Sequence, residues 1–319
     1  MATIPRGHER RPGFTLIELL IVMGLGVICF GLLVGCVQRA IRDDSRTQCI
    51  NNLKQIGLGV HNFESTFKRM PPLYGGSHGE SVVNSLKFPN VWGSTHVFLL
   101  PYIELDNLYK IMASGTPAVY DPTVNGGPAN TKGIPTYACP SDLSMSDNIV
   151  AGGAFGGTSY AANAQVFAPL ADETIAGGAM YPSSKPNFTD RGSPLRDIKD
   201  GTSNVIMFTH SIAACGTGKG TIWGYGAGVN QPPSPIDTYQ PWSRASYLSQ
   251  TFMTPANGAP FQVRPTRCNV SDPATPHSMM MVCLGDASVR SVVAGISPDT
   301  WNKACLPNDG NKMPADWDQ

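Results

Sequence analysis

Phe14 to Val37 forms an apolar run carrying one carboxylate, Glu18. A helix over these residues would be about 36 Å long, enough to cross the roughly 30 Å hydrocarbon core of a bilayer. The run is too apolar for a solvent-facing helix, so it confines the N-terminal part of the chain to a membrane or to a bundle of like helices. Glu18 is then the anomaly, because a carboxylate in the hydrocarbon core costs about 2.5–3.5 kcal/mol even on lenient insertion scales. A residue kept at that cost usually has a partner. The preceding residues 1–13 are polar and basic, with Arg6, Arg10 and Arg11 against Glu9. Such a flank stays cytoplasmic and directs the rest of the chain to the other side.

Beyond Val37 the pattern remains helical. Ile41, Ile50, Leu53, Ile56, Val60, Phe63 and Phe67 recur at three- and four-residue steps and form one apolar stripe. The prolines and glycines of "MPPLYGG" (Met70–Gly76) end it. The spacing therefore predicts a helix from Phe14 to about Lys68, with residues 14–37 in the membrane and 38–69 as an amphipathic continuation. Residues 70–319 remain for a globular head, on which the second half of the helix packs. The chain has 34 glycines and 27 prolines, which favour turns and short strands there. The expected fold class is α+β: a long N-terminal helix packed on a β-rich, mainly antiparallel head with a hairpin near 278–294. Within it "MMMVCL" reads as a buried strand, "GDAS" as the turn and "VRSVVAG" as the returning strand. "PYIELDNLYKIM" (Pro101–Met112) reads as a short helix through Leu105, Leu108, Tyr109 and Met112.

Acidic and basic residues balance at 23 each, which offers no electrostatic case for a nucleic-acid partner. The chain carries no HExxH, phosphate-binding glycine loop or dinucleotide fingerprint. "GGSHG" (Gly75–Gly79) formally matches a nucleophile elbow, but it sits in a Pro/Gly-rich loop without the strand and helix that an elbow needs. An enzyme is not expected. No CxxC pair or Cys/His cluster at zinc spacing occurs, which argues against a structural metal site. No cofactor is expected. Calcium could order the acidic loops "SDLSMSD" (Ser141–Asp147) or "DIKDGTSN" (Asp197–Asn204), but neither has EF-hand spacing and solvated turns are the simpler reading. Trp223, Tyr225 and Trp242 suit either a packed core, the favoured reading, or a glycan-binding face.

The string "GFTLIE" (Gly13–Glu18) closely resembles the cleavage and methylation signal of type IV prepilins and type II secretion pseudopilins. The resemblance implies cutting after Gly13 by a prepilin peptidase, methylation of Phe14, and pairing of Glu18 with the N-terminal amine of a neighbouring subunit. That pairing supplies the missing partner, since a carboxylate opposite an ammonium is far less costly than a lone one. Implied with it are an inner-membrane anchor with a cytoplasmic N-terminus, a periplasmic or surface head, and like subunits or other pilins as partners. The alternative is a membrane-anchored binding module that never polymerises. It is a plain signal anchor or, because "LVGC" (Leu33–Cys36) fits a lipobox, one lipidated at Cys36.

Six ordered blocks resemble a large bacterial family of prepilin-like proteins whose body is a domain of unknown function with a C-terminal H-x9-DG motif. They begin at "QCINNLKQIGLGVHNFESTFKRMPP" and continue through "HVFLLPYIELDNLYKIM", "IPTYACPSD", "TSYAANAQ" and "DIKDGTSNVIMFTHS". The last is "TPHSMMMVCLGDASVRSVVAGISPDTWNKACLPNDG". His277 and Asp286 occupy the motif, but eight residues separate them and Ala287 replaces the glycine. The two are read as a hydrogen-bonded pair closing the hairpin or as part of a ligand site. An alanine there costs around 1 kcal/mol if the turn needs positive φ. Disulfide pairing is not readable from spacing. The blocks suggest Cys49 with Cys139, and Cys215 with Cys268 is the second candidate pair. Cys29 and Cys36 lie seven residues apart on one helix, about 10 Å in rise, and cannot pair within a chain.

Overall fold

The structure is a computed structural model that describes residues 15–72, 74–76, 92–114, 123–124, 127–128, 132–150, 155–167, 192–215, 219–224, 265–266, 268 and 273–318. It divides into two compact units, residues 1–44 and 45–319. Helix α1 (Leu16–Phe67) contributes its first part to one unit and its second part to the other.

In the first unit the helix is opened by a reciprocal cap. The Glu18 carboxylate accepts from the Thr15 backbone N–H at 2.8 Å and from Thr15 Oγ1 at 2.7 Å, and Thr15 Oγ1 faces the Glu18 N–H at 3.4 Å. This is the capping-box arrangement of a T-x-x-E start, which satisfies N–H groups that a helix N-terminus otherwise leaves unpaired. The segment Leu16–Leu33 has a mean hydropathy of 2.6, and none of it is buried within the chain.

In the second unit α1 buries one stripe. Cys49, Leu53, Ile56, Val60 and Phe63 are almost fully buried, at steps of four and three residues. Ile50 and Phe67 pack at its margin. The helix ends where Lys68 turns to a φ of 58°. Beyond it, the Met70 N–H donates to Ser193 O, tying the exit of the helix to a distant loop.

The head is built on a four-stranded antiparallel sheet of β1 (Tyr160–Ala162), β2 (Ile206–His210), β3 (Met280–Leu284) and β4 (Val289–Val292), in the order β4-β3-β2-β1. Every residue of β2 and β3 is buried, so both faces of the sheet centre are covered. Phe208 and Cys283 are in register. Their face looks onto α1, because a Cβ built on Gly57 would lie 2.6 Å from Cys283 Sγ. Helices α2 (Thr95–Leu99), α3 (Asp106–Ser114), α4 (Ala164–Phe167) and α5 (Pro298–Cys305) surround this sheet. Separate two-residue ribbons accompany it, including Met145–Ser146 with Ile149–Val150. The left-handed Asp147 and Asn148 (φ 53° and 63°) turn that ribbon, as a tight hairpin requires.

The β3–β4 hairpin falls where the apolar run, the turn and the returning segment put it. Its turn does need positive φ at Ala287 (62°), so the alanine carries the expected strain of around 1 kcal/mol. His277 and Asp286 do not form a pair. They lie at opposite ends of β3, five residues that rise about 3.3 Å each. Asp286 instead accepts from the Ser288 N–H, while His277 faces two cysteines.

Candidate functional site

Four residues from distant stretches meet under the buried stripe of α1. Cys49 lies on that stripe, Cys139 follows the 3-10 turn Pro135–Tyr137, His210 ends β2, and His277 sits in the bend before β3. One ligand atom from each lies within 4.8 Å of the others. Cys49 and Cys139 are joined by a disulfide with Cα atoms 5.2 Å apart. His277 Nε2 stands 3.5 Å from Cys49 Sγ and 3.3 Å from Cys139 Sγ.

Local polar structure holds these elements in place. The buried Asn52 amide donates to Pro135 O (3.2 Å), Ala138 O (2.9 Å) and Tyr160 Oη (3.3 Å), clamping α1 onto the Cys139 segment. The Cys139 N–H donates to Ser159 Oγ, and Ser159 Oγ donates to Asp142. The Asp142 carboxylate also accepts from the Ala213 N–H and from both Ser144 donors. Asp142 and Asp200 are the carboxylates of the two acidic loops with most bonds to the chain. Asp200 accepts from the Asp309 and Gly310 N–H groups. Both carboxylates are therefore occupied by donors of the chain itself.

His210 is fully buried. Its Nδ1 lies 3.2 Å from Ala274 O, and its Nε2 has no partner among the described residues. Burial first, and then the neighbouring His277, push its pKa down to about 3. Burial and the nearby Arg46 guanidinium also lower that of the half-buried His277. Both imidazoles are therefore neutral near pH 7, which is the form that ligates metals. His210 had no motif to mark it, since its only sequence signal is its place at the end of an apolar strand. The missing zinc spacing argued against a metal site, yet the fold brings together two cysteines and two histidines.

The remaining candidates fall elsewhere. Cys268 is disulfide-bonded, while the Cys215 side chain and that of Cys36 lie outside the described residues, as do Gly13, Phe14, Tyr225, Trp242 and most of "GGSHG". Trp223 is buried and its Nε1 donates to Lys132 O at 2.8 Å, which places it in the core. His61 contacts Gly285 O, and His96 is a core residue of α2. An open groove of about 400 Å³ beside Met70 and Asn308 has no cysteine or histidine in its lining.

An apolar helix opened by Thr15 and Glu18, with an antiparallel α+β body after it, defines a prepilin-like precursor, and residues 10–34 match the prokaryotic N-terminal methylation motif. The chain belongs to the family described as proteins of unknown function DUF1559, which it matches over residues 40–299. Neither curated proteins nor solved structures give a match. The motif and the exposed apolar helix together point to membrane anchoring, and the motif alone to a pilin-like precursor, because the DUF1559 match carries no function.

Proposed function

We propose that the chain is a prepilin- or pseudopilin-like structural protein, cut after Gly13, methylated at Phe14 and assembled through its N-terminal helix into a pilus-like or type II secretion-like envelope structure. The observation that carries this reading is the coincidence of the methylation motif with a helix whose first turn presents a carboxylate. Within one chain the Glu18 carboxylate has only Thr15 as a described hydrogen-bond partner, and it is exposed. A neighbour's methylated amine would add the ion pair that offsets its transfer into the membrane. Leu16 to Leu33 bury nothing in their own chain, and a Cβ added at Gly24, Gly26 or Gly31 would meet nothing within 4 Å. Those glycines are not required by packing within the chain and suit close approach of another helix. The topology we infer has a cytoplasmic leader and a head on the far side of the inner membrane.

The test is the intact mass and N-terminal peptide of the protein from its native membrane, followed by a Glu18→Leu variant. N-methylated Phe14 with normal insertion but lost assembly in the variant supports the reading. A chain beginning at a lipidated Cys36 would remove Glu18 from the mature protein and leave a tethered binding module.

A further inference from the structure

We propose that Cys49, Cys139, His210 and His277 form a redox-gated site for a thiophilic divalent cation, zinc fitting best: shut as a disulfide when oxidised, and a Cys2His2 ligand set when reduced. Zinc–sulfur bonds of about 2.3 Å and zinc–nitrogen bonds of about 2.0–2.1 Å place the corners of a tetrahedron about 3.3–3.8 Å apart. His277 Nε2 already lies 3.5 and 3.3 Å from the two sulfurs, and all four ligand atoms fall within 4.8 Å of one another. The main movement required is parting of the sulfurs, which reduction permits.

His210 is the observation that points to an occupant. With Nδ1–H donating to Ala274 O, the ring is held in the tautomer whose Nε2 carries a lone pair. Structural and catalytic zinc sites orient their histidines in this manner, through a carbonyl or carboxylate on the opposite nitrogen. That Nε2 is buried and has no partner among the described residues. A buried acceptor left unpaired calls for an explanation, and a metal ion supplies one. His277, half-buried, stands at the mouth of the cluster, and its backbone N–H is held by Thr275 Oγ1.

The chemistry balances. A dithiol reductant transfers two electrons and two protons to the Cys49–Cys139 bond, giving two thiols and leaving the reductant as its own disulfide. Zinc then displaces the two thiol protons to solvent and binds two thiolates and two neutral imidazoles. The dication and two thiolates sum to no net charge, so burial of the complex beside Arg46 adds no uncompensated charge. Either state keeps α1 tied to the Cys139 segment, by a sulfur–sulfur bond or by sulfur–metal–sulfur bonds. The gate thus exchanges one staple for another and does not release the helix.

The experiment uses the full chain in detergent micelles, reduced with a phosphine that is then removed under nitrogen, and titrated with cobalt(II) followed by zinc(II). The expected result is one cobalt per reduced chain, with the visible bands of a tetrahedral ion and sulfur-to-cobalt charge transfer. Zinc bleaches both, and the oxidised chain gives neither. His210→Ala should weaken binding about ten-fold or more. Because a buried substitution can disturb folding, His277→Ala at the cluster mouth is the second variant. Near-UV circular dichroism of its oxidised form should match the parent while the reduced form shows the same loss. Octahedral cobalt alone, equal binding by the oxidised chain, or full affinity in the folded His277→Ala protein would each overturn the site.

Discussion

His96 is a histidine that the fold pays to keep neutral. It is buried in α2 with its ring set edge-on to Tyr137 and Phe208, at 4.9 and 5.8 Å between centroids. Burial lowers its pKa to about 4. The unfolded chain, with an ordinary histidine near 6.5, therefore takes up the proton first as the pH falls. Stability contributed by the neutral ring is complete above pH 6.5 and is lost as the pH drops from 6.5 toward 4. The full span is worth about 3 kcal/mol. Urea unfolding at pH 7.5 and 4.5 should show this decline, and His96→Phe, which keeps the ring contacts, should reduce it by the share of one proton. An unchanged pH slope in the variant would show that His96 does not titrate in this way.

α1 packs closely where it crosses the β3–β4 turn. A Cβ at Gly57 would sit 2.6 Å from Cys283 Sγ and 3.0 Å from Ala287 Cβ. Gly57→Ala gains about 1 kcal/mol in helix propensity, but overpacking a buried contact costs about 1–3 kcal/mol. Net destabilisation is expected, read as a lower urea midpoint with an unchanged slope. Ala287→Gly relieves around 1 kcal/mol of left-handed strain and loses a buried methyl worth about 0.8 kcal/mol, so it should be nearly neutral. It should not rescue Gly57→Ala, because the nearest clash is with the sulfur. If Ala287→Gly stabilised strongly, the turn strain would be larger than this balance allows. These elements were legible in advance from local pattern: the stripe on α1, the helical spacing that leads into α3, although Leu100–Ile103 forms a 3-10 turn before it, and the apolar run, turn and returning segment of β3 and β4. The Cys/His cluster was not. Its members come from a helix, a 3-10 turn and two strand ends, and no local spacing joins residues brought together only by tertiary packing. The H-x9-DG resemblance led to pairing His277 with Asp286, whereas an intervening extended strand holds them apart.

At the scale of the whole molecule, the question is where the folding unit begins. Prolines and glycines end the helix near Met70, and the apolar stripe before them is expected to pack on the head. The compact unit that holds the head begins at Ser45, and α1 residues beyond that point supply Leu53, Ile56, Val60 and Phe63 to the main core. Burial of each is worth about 1.5–3 kcal/mol, or about 6–12 kcal/mol for the four, as an upper estimate. The whole stability of a domain is about 5–15 kcal/mol. A chain cut at Met70 also loses Cys49, and with it a cross-link between residues 90 apart that chain entropy values at about 4–5 kcal/mol. We therefore expect a chain of residues 45–319 to be soluble and to unfold cooperatively in urea at the midpoint of the full protein. A chain of residues 70–319 should lack near-UV circular dichroism and a cooperative transition. A folded 70–319 chain would mean that α1 is dispensable to the head, and an unfolded 45–319 chain would mean that the head depends on the membrane-entering half of the helix. The expected outcome makes the C-terminal half of α1 part of the head's core.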